Sequence, residues 1–130
     1  MEAWRIRRWL NRVNGTTAFG LAVARAGRAR LRPGPHGTTL AEGYRFGFPV
    51  AGAFTVGDVI ATKGNFDELT THLPDLLEHE ERHCGQYAAL GLAFLPLYLI
   101  STGWSWLLLR DLATGNVFER QAGLRSGGYL

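Results

Sequence analysis

The stretch Glu78-His79-Glu80-Glu81-Arg82-His83-Cys84 sets the reading of the whole chain. It holds two histidines four residues apart, with a glutamate directly after the first. On a helix that spacing puts His79 and His83 on one face a turn apart, where both can bind one metal ion. Glu80, beside the first histidine, is placed to take a proton from a water activated by that metal. Two imidazoles and a carboxylate leave one tetrahedral position open for the water, which favours Zn²⁺. With four His and seven Glu among 130 residues, only about 0.7% of chains of this composition would carry the pattern by accident. A merely solvated, charged helix face is therefore the weaker explanation.

Working outward, the motif lies in a helix predicted from about Pro74 to Leu95, with Pro74 tolerated in its first turn and Pro96 breaking it. Upstream, Phe66 to Thr71 reads as one or two helical turns. Ala53 to Thr62 is the strongest strand, β-branched and partly alternating. Arg28–Arg32 and Thr38–Tyr44 read as two strands joined by the turn Pro33-Gly34-Pro35-His36-Gly37. Residues 46–52 are too rich in Gly and Pro for a regular element. Nearer the N-terminus, residues 3–13 and 18–26 read as helices. Downstream come a helix from Leu97 to about Leu112, the turn Thr114-Gly115-Asn116, a short helix from Val117 to Leu124 and a loose tail at Gly127-Gly128. No repeat or linker interrupts the chain. The expectation is one α+β domain over residues 1–130, comprising a basic helical segment (1–26), strands (28–62) and helices (66–124). A small sheet and the motif helix would pack against the C-terminal helices.

The motif segment resembles zincin-type metallopeptidases. With Gln86 three residues after His83 it is also similar to short uncharacterised bacterial proteins. In the gluzincin branch the third ligand is a glutamate on a later helix, and the resemblance implies Glu119, the only Glu after the motif. Asp111 is the alternative third ligand. The order strand, motif helix, connecting helix and glutamate helix, from about Ala53 to Gly123, is similar to a minimal gluzincin core. The resemblance implies a zinc-dependent, peptidase-like metallohydrolase with Glu80 as general base. It departs from the metzincins, since Cys84-Gly85-Gln86-Tyr87 follows His83 in place of a Gly and third His. It also lacks the subdomain that forms specificity pockets. A peptide or protein substrate would pair with the exposed edge of the 54–62 strand, with Phe54, Val56 and Tyr87 lining the cleft. The other expectation is a non-catalytic metal-binding or membrane-associated scaffold. An intact Glu80 favours the enzyme.

His72 and His36 read as solvated residues, and Cys84 as a buried thiol. As the only cysteine, Cys84 excludes an intrachain disulfide and a Cys-based zinc site. Hydrophobic residues at 46% and charged residues at 19% mark a globular chain. Eight of the 14 Lys and Arg fall in the first 32 residues, opposed only by Glu2. There Ile6, Trp9, Leu10 and Val13 share one helical face and Arg5, Arg8 and Arg12 another. Such a helix either packs on its own domain or makes peripheral contact with an anionic membrane. No zinc-finger, RNP or helix-turn-helix signature accompanies the arginines, so no nucleic-acid partner is expected. Asn11, Arg12 and Asn14 interrupt the apolar run that a signal peptide needs. The expected location is cytoplasmic, with membrane association the second expectation. Residues 88–109 carry no charge, which suits either a soluble core or a membrane-embedded segment.

Overall fold

The computed structural model describes residues 2–46, 52–111 and 113–127 and has a mixed α+β architecture around a small four-stranded sheet. Two helices, α1 (Ala3–Val13) and α2 (Thr16–Ala26), lead into strands β1 (Arg30–Pro33), β2 (Thr39–Glu42), β3 (Ala53–Val56) and β4 (Val59–Thr62). Helices α3 (Phe66–His72), α4 (Leu76–Leu90), α5 (Phe94–Leu109) and α6 (Val117–Ala122) follow. The sheet order is β1-β2-β4-β3, with β2 and β4 parallel and the other pairs antiparallel.

The strand expected over Ala53–Thr62 is two strands. Val56 pairs with Val59, leaving Gly57-Asp58 as a two-residue hairpin loop. Gly57 has φ +64° and Asp58 has a negative φ, the pattern of a type II′ turn with glycine first. A side chain at Gly57 would also strike the Thr16 backbone at 2.5 Å. Strand β4 is thereby enclosed between β2 and β3, so the exposed edge expected along residues 54–62 reduces to β3.

Alternation along β4 feeds two cores. Ile60 joins Leu40, Ala53, Phe66, Leu76 and Cys84 beneath α3 and α4. Val59 and Ala61 join Ala24 and Ala41 beneath α2. The sheet is thus covered by helices on both faces. Helix α1 is tied on by polar groups: Arg7 Nε donates to Asp58 Oδ1 at 3.1 Å, and Asn11 Nδ2 donates to the same atom at 2.9 Å. Asn11 Nδ2 also donates to the Cys84 carbonyl of α4 at 3.0 Å.

The long helix ends at Leu90, not near Pro96. Gly91 takes φ +61° and opens a single 3₁₀ turn, Gly91–Ala93, that leads into α5. Pro96 sits in the first turn of α5, where its missing N–H removes no helical bond. The expected helix start at Pro74 moves to Leu76, and the last helix stops at Ala122. Most of the Gly- and Pro-rich stretch 46–52 lies outside the described residues, as do Leu112 and Gly128. Gly127 is not loose: it sits in a turn against His79.

Candidate metal centre

Helices α4 and α6 build the site. Asn116 caps α6, its Oδ1 accepting from the N–H groups of Phe118 at 3.0 Å and Glu119 at 3.4 Å. Its Nδ2 donates to Thr102 Oγ1 of α5 at 2.8 Å, which fixes where α6 begins. Arg82 Nη1 donates to the Ala122 carbonyl at 2.8 Å, and Gln86 Nε2 to the Phe118 carbonyl at 2.9 Å. These bonds hold α6 against the histidine face of α4. Glu119 Oε1 consequently lies 3.0 Å from His79 Nε2 and 2.7 Å from His83 Nε2, and the two Nε2 atoms are 3.2 Å apart. All three residues are buried, His79 at 1% exposed and Glu119 at 3%.

The hydrogen bonds at the far side of each ring assign the tautomers. His79 Nδ1 faces the Gly123 carbonyl at 2.7 Å. A carbonyl only accepts, so Nδ1 carries the proton. His83 Nδ1 faces Gln86 Oε1 at 2.8 Å. The Gln86 amide is oriented by its Nε2, which donates to the Phe118 carbonyl and to Gln121 Oε1 at 2.8 Å. His83 Nδ1 is therefore also a donor. In their neutral forms both imidazoles then present bare Nε2 lone pairs to each other and to a carboxylate oxygen. That arrangement demands positive charge at its centre, from added protons or from a metal ion. His79, His83 and Glu119 could hold such an ion. Glu119 Oε2 accepts a hydrogen bond from the Tyr98 hydroxyl, so Oε1 alone faces the histidines. Each candidate ligand thus has an outer partner that orients it.

Electrostatics follow from burial among these groups. Burial raises the Glu119 pKa, but hydrogen bonds from His79 and His83, in the state where their Nε2 atoms carry protons, and from Tyr98 outweigh it and hold the carboxyl well below the usual range. Burial works against the charged form of His83, and Glu119 and Glu80 more than offset it, raising its pKa. Glu80 is raised by burial, against the opposing pull of His83, the Thr55 hydroxyl and His79. Thr55 Oγ1 of β3 donates to Glu80 Oε2 at 2.6 Å. The hairpin strand beside α4 therefore orients the carboxyl that follows the first histidine.

The remaining candidates fall elsewhere. Asp111 closes its own turn, accepting from the N–H groups of Ala113 at 2.9 Å and Thr114 at 2.6 Å, and it is not part of the cluster. Tyr87 is enclosed with Phe94, ring centroids 4.2 Å apart, and with Val56, and both are buried. Phe54 is half-buried, edge-on to Tyr44 at 5.0 Å. His72 is exposed on α3, and His36 pairs with Glu81 at 2.8 Å. Cys84 is a buried thiol whose pKa burial pushes well up. Sequence reasoning did not assign Tyr98, Thr55 or the Gly123 carbonyl to the site. Each meets it only through tertiary folding, and the sole local hint was Gln86, three residues after His83. Compared with known protein families, characterised proteins and solved structures, the chain matches none of them.

Proposed function

We propose that the chain is a minimal zincin-like, zinc-dependent hydrolase acting on peptide carbonyls, with His79, His83 and Glu119 as ligands and Glu80 as general base. The observation that carries this reading is the convergence of two histidine Nε2 atoms and one carboxylate oxygen, with a buried carboxyl on the residue after the first histidine. Donors 2.0–2.1 Å from a tetrahedral zinc ion stand roughly 3.3 Å apart. The observed separations of 2.7 to 3.2 Å need only a small outward relaxation to reach it. When bound, zinc would polarise a carbonyl and lower the pKa of a water in the remaining position. Glu80 would accept that proton and return it to the leaving amine. Burial raises its pKa from the ordinary carboxylate value, the direction that makes it a stronger base. The order β3, α4, α5, α6 also supports the zincin-like reading.

One observation favours a second reading, a metal-binding scaffold without turnover. The turn at 124–127 lies over His79, and a side chain at Gly127 would stand 2.5 Å from its Cε1. Closed sites are characteristic of structural metals. A pair of variants separates the readings. Glu80→Gln should keep zinc and lose peptide hydrolysis by about 10²–10⁴-fold. Glu119→Gln should weaken zinc binding itself. A zinc-loaded wild type that cleaves nothing in a diverse peptide library would remove the hydrolase and leave the scaffold.

A further inference from the structure

Helix α5 is built inside-out for a protein in water. Its polar side chains point inward: Ser101 Oγ accepts from the Val117 N–H at 2.9 Å, Thr102 Oγ1 from Asn116 at 2.8 Å, and Ser105 Oγ from the Gly115 N–H at 2.8 Å. Its large apolar side chains point outward. Ile100 and Leu107 are each 68% exposed, and Leu99, Trp104 and Leu108 accompany them. Helix α4, the 3₁₀ turn and α5, taken together from Leu76 to Leu109, are long and apolar enough to cross a membrane, and only 11% of the most apolar part is buried. A core helix of that composition would be mostly buried. In hydrocarbon the arrangement is the stable one, with polar groups satisfied inward and apolar groups facing lipid.

Helix α1 supplies the matching charge. Arg7 and Asn11 face the protein, which turns Trp9 (62% exposed) and Val13 (65%) outward beside exposed Arg5 and Arg12. The end of α1 meets the joint of α4 and α5, where Asn14 Nδ2 donates to the Tyr87 carbonyl at 3.1 Å. The end of α1 therefore lies near the start of α5. At the other end of α5, the Arg110 guanidinium lies over the Trp106 ring, 5.9 Å from its centroid, a pairing suited to a headgroup boundary.

We propose that this face docks on an anionic lipid bilayer, with α5 seated in the hydrocarbon and α1 lying among the headgroups. The 16 residues of α5 reach about 24 Å, short of the roughly 30 Å hydrocarbon core, so the helix dips into the bilayer and does not span it. Because Tyr98 of α5 bonds to Glu119, the docking holds the candidate metal centre at the membrane surface. The docking does not depend on whether that centre is catalytic.

The test uses the full chain, diluted from detergent into phosphatidylcholine vesicles with and without phosphatidylglycerol, and read by flotation. Wild type should float with the vesicles, more strongly with phosphatidylglycerol, and added salt should remove that preference. Brominated lipids should quench its tryptophan fluorescence. The double variant Ile100→Glu/Leu107→Glu should lose about tenfold or more in vesicle affinity with an unchanged circular dichroism spectrum, since both side chains are exposed. Arg5→Gln/Arg12→Gln should lose only the phosphatidylglycerol preference. The proposal is overturned if wild type stays with the unbound fraction in both lipids. It is equally overturned if the glutamate variants leave flotation unchanged but dissolve a dimer formed without vesicles, because a second copy would then be the occupant.

Discussion

The Tyr98 hydroxyl donates to Glu119 Oε2 and leaves only Oε1 facing the two histidines. Removing that donor should let the carboxylate swing, so Tyr98→Phe should weaken zinc binding by about ten- to a hundredfold with little change in fold. A zinc titration against a competing chelator reads this directly. Gly127 matters for a different reason, its lack of a side chain where the tail crosses His79. Gly127→Val should displace either the ring or the tail, lowering metal affinity while the helix content stays constant. Legibility at this scale followed sequence distance. His79 and His83 could be paired because four residues make one helical turn, and Glu119 was named because the gluzincin resemblance implies a later glutamate and no other Glu follows the motif. Tyr98 stands 21 residues from Glu119, and Thr55 stands 25 from Glu80. Neither separation belongs to any local period, so only the fold could bring these pairs together.

Among the elements, α1 is attached through a buried ion pair, its Arg7 and Asp58 side chains 11% and 3% exposed. Arg7→Met would leave Asp58 buried with Asn11 as its remaining side-chain donor, at a cost of about 3–5 kcal/mol. The double variant Arg7→Met/Asp58→Asn should recover part of that loss in urea denaturation. Glu42 ties β2 to its neighbours, accepting from Arg32 Nε at 2.8 Å and from the Phe66 N–H of α3 at 2.7 Å. The Arg32 bond lowers the Glu42 pKa, burial opposes it, and the Phe66 bond adds to the lowering. A depressed folded-state pKa means the unfolded chain binds the proton more readily. The stabilisation is complete above the unfolded-state value and is lost as pH falls through the folded one. Glu42→Gln should therefore flatten the acid side of the stability curve and leave its slope near neutrality unchanged. The hairpin within residues 53–62 was signalled by Gly57-Asp58, yet apolar alternation on both sides concealed it as one strand. The break in the helical run was assigned to Pro96 because proline disrupts helix interiors. Pro96 falls in a first turn, and Gly91, with its positive φ, makes the bend.

At the scale of the molecule, the charge asymmetry and the uncharged run 88–109 were both visible in the sequence. The faces they occupy were not. Periodicity placed Ile6, Trp9 and Val13 on one side of α1 and left open whether that side packs on the domain or meets a membrane; the buried Asp58 draws Arg7 and Asn11 inward and turns those residues out. A metal joining α4 to α6 would also couple the two halves of the helical region. Chelation should lower the melting temperature of wild type and leave the His79→Ala/His83→Ala variant unaffected. On the proposed function, two imidazole nitrogens and one carboxylate hold a metal. The most direct test of that claim is the metal content of purified wild type and of that double variant, by inductively coupled plasma mass spectrometry. Wild type should carry close to one zinc per chain and the variant none. Equal zinc in both, or none in wild type after dialysis against buffered zinc, would contradict it.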